Sequence, residues 1–577
     1  MEKLSQESSK LKPHYDAIVV GSGYGAGISA SRLSRMGLKV CVFERGPERV
    51  PGEFPETLGE SSDEFQIDLP LKHIGSKTAL FDMHVNSDVS VLVGCGLGGT
   101  SLINGNVMLI PDRRVFDNKD WPEKIRQDFD TLLKEGYERA NLMIQPVSYP
   151  NKIKLKKLQA FETAAKAIDA ECTLPPITVT FDAESSGNHA GVIQEDCTLC
   201  GDCCSGCNIG AKNTTALNYI PDAVNHGAKI FTLTQVHHIE RKAEIWKVYF
   251  QRIDAETGEV IPNSYRYITS ETIVLGAGTL GSTEILLRSK EAGLDISDLI
   301  GKNFSGNGDV IAFGYNNDIP INGIGTGNPI PEELEPVGPV IAGLIDLRDT
   351  EDVNDGMVIQ EGAIPSTLAP IMPALTSSAS PIFGDDTDDG WQDFIEEKMR
   401  SWTSIFKGAY QGAVHNTQTL LVMAHDGGGG EMKLDDDRIR IDWPDAGDRP
   451  VFKKIGNVLN RVTAATGGTF INNPVWSKAL GRGLISVHPL GGCCLGETVF
   501  TGVVNHKCQV FNTYGGVHQG LYVTDGAVMP SSLGVNPSMT ISAIAERAMM
   551  YYADDHNLEL DVNPLEDAPI RYAKPEE

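Results

Sequence analysis

Four short runs of this chain are apolar almost without interruption: "YDAIVVGSG", "KVCVFERG", "ETIVLGAG" and "GLYVTDG". A strand with one wet face alternates apolar and polar side chains, because successive residues point to opposite sides. A run without that alternation, rich in β-branched residues and closed by glycine, predicts a strand covered on both faces in a parallel sheet. Between the runs lie 46–90, 113–218 and 310–480, rich in Pro, Gly and acidic residues and without internal repeats. The pattern predicts an α/β chain with a nucleotide-binding core from 1–45, 91–112, 219–309 and 481–577. The insertions 46–90, 113–218 and 310–480 are expected to gather into a second, substrate-facing domain.

The first run carries its own chemistry. A strand over Ala17–Val20 meets Gly21-Ser22-Gly23-Tyr24-Gly25-Ala26, a helix of small residues follows, and a second strand ends at Glu44. Gly21 permits the tight turn, Gly23 lets a pyrophosphate approach the backbone, and Ala26 keeps helix and strand close. Glu44 is placed to accept hydrogen bonds from an adenosine ribose, and the helix N-terminus offers its positive end to the phosphates. The fingerprint alone does not separate FAD from NAD.

Composition narrows the partners. At 577 residues the chain exceeds what one hydrophobic core fills. A formal net charge of −28 opposes nucleic acid or an anionic membrane as partner, since both demand a basic face. The N-terminal "MEKLSQESSKLKPHYD" lacks the apolar run of a secretory signal. The nearest candidate for a membrane span, Gly362–Gly384, carries no charge but contains Pro365, Pro370, Pro373 and Pro381, which would break such a helix. These features predict a cytoplasmic protein without a transmembrane segment, in a reducing compartment where eleven cysteines are not a disulfide framework.

Five of those cysteines crowd into "CTLCGDCCSGC", residues 197–207. Cys197, Cys200, Cys203 and Cys207 follow the C-x₂-C-x₂-C-x₃-C ferredoxin-type run, with Cys204 as an extra thiol and Asn208 where that run has proline. Structural zinc usually draws on two separated pairs, which this segment lacks. An iron–sulfur cluster and a thiol-rich turn braced by packing both remain open.

Later blocks appear in a fixed order: "VGCGLGGTSLINGNVML", "VLGAGTLGSTEILLRS", "SVHPLGGCCLG" and "LYVTDGAVMPSSLGVNPSMTISAIAERAM". Together with "GSGYGAG" they resemble the glucose–methanol–choline (GMC) family of FAD-dependent oxidoreductases, and within it the cholesterol oxidase branch. The resemblance implies a Rossmann-like FAD-binding domain with an inserted substrate-binding domain built on an antiparallel sheet. It further implies that Gly21, Gly23, Gly25 and Glu44 hold the nucleotide, and that Gly98, Gly99, Ser101, Asn104 and Gly105 pass beside the flavin. Val236 in "TLTQVHHIE" matches the strand that meets the adenine. Asp525 and Gly526 match the strand end near the pyrophosphate, with Pro537 and Met539 near the ring.

The implied reaction is oxidation of an alcohol, with hydride leaving carbon for the flavin while a base takes the hydroxyl proton. His488 and Asn536 match the family's catalytic pair, although Asn536 before Pro537 also reads as a turn former. Glu361, in the largely apolar "MVIQEGAIPSTLAP", is expected to have a raised pKa and to act as an acid/base. The segment is similar to the cholesterol oxidase stretch whose glutamate moves a proton during isomerisation. Gly362–Gly384 reads as an apolar lid, which favours a bulky apolar, sterol-like alcohol, with oxygen or another electron acceptor. The alternatives are a dehydrogenase of another alcohol or sugar, and a non-catalytic flavin and iron–sulfur electron-transfer subunit.

Overall fold

A computed structural model describes residues 2–371, 384–385, 409–472, 483–565 and 568–574. The apolar runs lie side by side as predicted. Lys229–Phe231, Val40–Phe43, His14–Val20, Arg266–Leu275 and Val517–Val523 pair in parallel in that order. A hairpin of Thr234–Lys242 and Ile245–Arg252 extends the sheet from the first half of Arg266–Leu275.

Small residues let the helix Tyr24–Arg35 settle closely on this sheet. A Cβ on Gly25 would stand 2.0 Å from the Thr524 carbonyl oxygen, so no larger residue fits there. Behind it packs the helix Ser538–His556, and the two are joined by a buried ion pair. Arg32 donates through Nε and Nη2 to Glu546 (2.8 and 2.6 Å), and the Tyr219 hydroxyl donates to the same carboxylate. A forked, hydrogen-bonded pair of this kind holds two helices in one register.

The second sheet is antiparallel throughout. Its seven strands run Gly384–Asp385, Thr469–Ile471, Val310–Tyr315, Gln418–Ala424, Met357–Gly362, Leu344–Asp346 and Cys172–Thr173. Helices Lys156–Ala167 and Pro450–Ala464 cover one face. The other face turns toward the parallel sheet and carries Ile311, Leu421 and Gln360, which stand in register on three adjacent strands.

A smaller five-stranded sheet joins Leu484–Ser486 to Val89–Gly94 and then to Phe81–His84, Phe65–Asp68 and His73–Ile74. The expected boundary between 90 and 91 therefore falls inside a strand, whose hydrogen bonds tie the two segments together. Of the lid expected over 362–384, most lies outside the described residues. Among the described residues no helix is long and apolar enough to cross a membrane.

Candidate active site

A cavity of about 560 Å³ opens between the parallel and antiparallel sheets. Its nucleotide end is built by the glycine turn. Gly21 holds φ at +96°, and an added Cβ would lie 2.3 Å from the Gly276 carbonyl oxygen. A Cβ on Gly23 would meet nothing within 4 Å, so the backbone there stays open to a ligand. Glu44 accepts from Ser22 Oγ (2.6 Å) and from the Gly46 N–H (2.8 Å), while burial pushes its carboxyl up. Val236 lines the same end with Thr234 and Gln235. The bare backbone at Gly23, the adjoining helix N-terminus and the buried acid fit FAD.

The loop after Val89–Gly94 is tied down onto this turn. Ser101 Oγ donates to the Gly98 carbonyl (2.6 Å), and Thr215 Oγ1 donates to the Ser22 carbonyl (2.9 Å). Gly99, Ser101, Asn104 and Gly105 reach the cavity wall, whereas Gly98 lies behind it. Asn104 Nδ2 donates to the Tyr24 hydroxyl (3.0 Å). Asp525, Gly526 and Pro537 also line the wall, and burial lifts the Asp525 carboxyl to about 6. Met539 differs from its expected place beside the ring: it packs into the core and is not on the wall.

His488 reaches the cavity from the turn after Leu484–Ser486. Its Nδ1 lies 2.8 Å from Asp309 Oδ1, a carboxylate that sequence reading missed. Asp309 Oδ2 accepts from the backbone N–H groups of Val487 (2.8 Å) and His488 (3.0 Å) and from Ser486 Oγ (3.1 Å). An ionised carboxylate only accepts, so Nδ1 carries the hydrogen and Nε2 keeps its lone pair for the cavity. Nothing in "SGNGDV" marks Asp309 for this task, because the pairing spans 179 positions.

Asp309→Asn tests the arrangement. The oxygen of the new amide must serve the Val487 and His488 N–H groups, which leaves its NH₂ facing His488 Nδ1. That reverses the tautomer and puts the proton on Nε2. Substrate-dependent flavin reduction is expected to fall at least about tenfold with FAD retained, since the base is then blocked. An unchanged rate would refute the positioning role.

Asn536 meets the antiparallel sheet through a second residue missed in the sequence. Gln360 Nε2 donates to Asn536 Oδ1 (2.6 Å), and Asn536 Nδ2 reaches Gln360 Oε1 at 3.4 Å. The amide pair fixes the Asn536 side chain and leaves it one N–H to offer a ligand.

Glu361 is a correction. It is fully buried on the opposite face of Met357–Gly362 and takes no part in the cavity wall. Its carboxylate accepts from Lys157 Nζ (2.8 and 2.6 Å) and from the N–H groups of Ala342 and Gly343 (2.8 and 3.0 Å). Strand residues alternate faces, so Gln360 takes the cavity and its neighbour takes the helix Lys156–Ala167. The expected apolar setting is instead an ion pair with Lys157.

The four cysteines of the ferredoxin-type run line a second, smaller cavity. All eleven cysteines are free thiols. Among the described residues no three His, Cys, Asp or Glu side chains converge on the position of a single metal ion.

Comparison with known proteins agrees with this architecture. Residues 15–307 and 451–545 match the two models of the GMC oxidoreductase family. A cholesterol oxidase of Mycobacterium tuberculosis is 26% identical, the alignment covering 98% of this chain and 95% of the relative. A long-chain-alcohol oxidase of Arabidopsis thaliana is 23% identical, over 92% of this chain and 66% of its own. A solved fungal aryl-alcohol oxidase shares the fold with a TM-score of 0.57 at 15% identity, covering 95% of this chain and 100% of that one. The chain belongs to the GMC oxidoreductase family and is an FAD-dependent oxidoreductase of alcohols.

Proposed function

We propose that the enzyme oxidises the hydroxyl of a bulky apolar alcohol, sterol-like in size, to the ketone and leaves neighbouring double bonds in place. FAD, when bound, supplies the hydride acceptor. His488 Nε2 takes the hydroxyl proton, Asp309 holds the imidazole in the required tautomer, and Asn536 donates to the substrate oxygen. Oxygen is the electron acceptor in this reading, which the names of the oxidase relatives support.

One observation carries the proposal: the Gln360–Asn536 amide pair stands on a sheet face that, apart from Thr419, is lined by Ile311, Phe313, Leu421 and Met423. Such a face rewards burial of hydrocarbon at about 25 cal/mol per Å² and offers a sugar few partners. Isomerisation would need a base that lifts a proton from the carbon between ketone and double bond and returns it at the far end. Among the described residues, the wall positions of this sheet include no carboxylate.

Anaerobic mixing of the purified holoenzyme with sterols, long-chain alcohols and sugars tests the reading. Sterols should bleach the flavin fastest; preference for a sugar would overturn it. With a 3-hydroxy-5-ene steroid the unconjugated ketone should be released. Gln360→Glu should then raise formation of the conjugated ketone about tenfold or more, because it sets a base on the wall. Conjugated product from the unaltered enzyme at the rate of oxidation would contradict the assignment.

A further inference from the structure

We propose that Asn307 positions Asn536, so that the single turn 305–309 sets both members of the catalytic pair. Asp309 orients the imidazole of His488, and Asn307, two residues earlier, clamps the segment that carries Asn536. The inference rests on the reading of Asn536 as donor to the substrate oxygen.

Segment 533–536 belongs to no helix or strand, so no backbone ladder fixes it. Asn307 supplies what a ladder would. Its Oδ1 accepts from the N–H groups of Leu533 (2.8 Å) and Gly534 (3.2 Å), and its Nδ2 donates to the Val535 carbonyl (2.8 Å). Three of the four hydrogen-bonding positions of the amide thus hold three consecutive residues, and the next residue in line is Asn536. Asn307 is fully buried, so water does not stand in for a lost bond.

An amide suits this task because the three backbone groups are two donors and one acceptor. A carboxylate would serve the donors and repel the carbonyl. The backbone is matched to the same residue: φ at Asn307 is 58°, in the left-handed region that Asn tolerates better than most side chains.

The turn is itself anchored on two sides. Ser305 exchanges backbone hydrogen bonds with Leu490, two residues after His488 (3.0 and 2.9 Å). Ser305 Oγ and the Gly308 N–H both donate to the buried carboxylate of Asp426 (2.7 and 3.0 Å). The Ala424 N–H donates to the Asn307 carbonyl (3.1 Å), which fastens the turn to the strand paired with Met357–Gly362 and hence beside Gln360. His488 and Asn536 line the cavity, while Asn307 and Asp309 stand behind its wall. One rigid turn therefore fixes the spacing of base and donor, where a misplacement of roughly 1 Å can cost about 10²-fold in rate.

Two measurements on the holoenzyme test this. Asn307→Gly is the cleanest variant, because glycine takes the left-handed backbone without strain and only the clamp is lost. With no alcohol present, backbone amide exchange across 531–536, read by mass spectrometry, should become at least about tenfold faster. Unchanged exchange would overturn the clamp. Anaerobic flavin reduction by alcohol should slow about tenfold or more with FAD retained. In an Asn536→Ala background the same substitution should cost less than about twofold, whereas in a His488→Ala background it should cost its full factor. A full cost in the Asn536→Ala background would show that Asn307 acts by another route and would overturn the assignment. If Asn536→Ala alone reduces its flavin at the unaltered rate, the donor reading falls and the exchange measurement decides the clamp. Should Asn307→Gly not fold, Asn307→Asp is carried through the same two backgrounds with the same outcomes deciding. It keeps the acceptor for Leu533 and Gly534 and sets a carboxylate oxygen against the Val535 carbonyl.

Discussion

Replacing His488 with alanine is expected to slow anaerobic flavin reduction by alcohol roughly 10²–10⁴-fold while FAD remains bound. The side chain presents Nε2 to the cavity and anchors Nδ1 on Asp309, so truncation removes the proton acceptor without removing any residue of the glycine turn. FAD content by absorbance separates this loss from misfolding. Because Asp309 acts through His488, adding Asp309→Asn to His488→Ala should cost almost nothing further. Reduction near the unaltered rate in His488→Ala would end its assignment as base. Full additivity of the two losses would show that Asp309 has a task of its own.

Replacing Lys157 with methionine should destabilise the fold by about 3–5 kcal/mol, because Glu361 is then buried without its cation. Both side chains are fully buried, so water cannot screen the loss. The Ala342 and Gly343 N–H groups would still hold one carboxylate oxygen, which places the effect within that range and short of complete unfolding. The double variant Lys157→Met/Glu361→Gln should recover most of the stability, since no charge is left to bury. Urea denaturation measures both. A loss under about 1 kcal/mol in the single variant would refute the ion pair. Folded Glu361→Gln should retain its flavin reduction rate, an outcome that a catalytic Glu361 would not permit.

The opposite fates of neighbouring residues on one strand show where reading from sequence stops. "MVIQEGAIP" marks a buried, β-branched stretch with a carboxylate inside it, and so it is. Its phase is invisible locally. A shift by one position exchanges every side chain between faces, and only pairing with Gln418–Ala424 sets which face meets the cavity. His488 and Asn536 were legible because short motifs surround each of them. Asp309 and Gln360 complete them from positions 179 and 176 residues away, and no motif spans that distance.

By itself the sequence determined what is local. Unbroken apolar runs place the parallel strands, because strands buried on both faces cannot alternate. The glycines at 21, 23 and 25 build the phosphate turn, because no Cβ fits at 21 or 25 and none obstructs the backbone at 23. The cysteine spacing brings four thiols to one loop. The tertiary structure alone decided the rest: Glu361 against Lys157, Gln360 against Asn536, Asp309 behind His488, and the buried Lys212 Nζ on the carbonyls of Leu102, Asn104 and Cys203. Each of these pairs a charge or an amide with a group on a different segment, and buried polar groups take their state from whatever the fold brings within hydrogen-bonding distance.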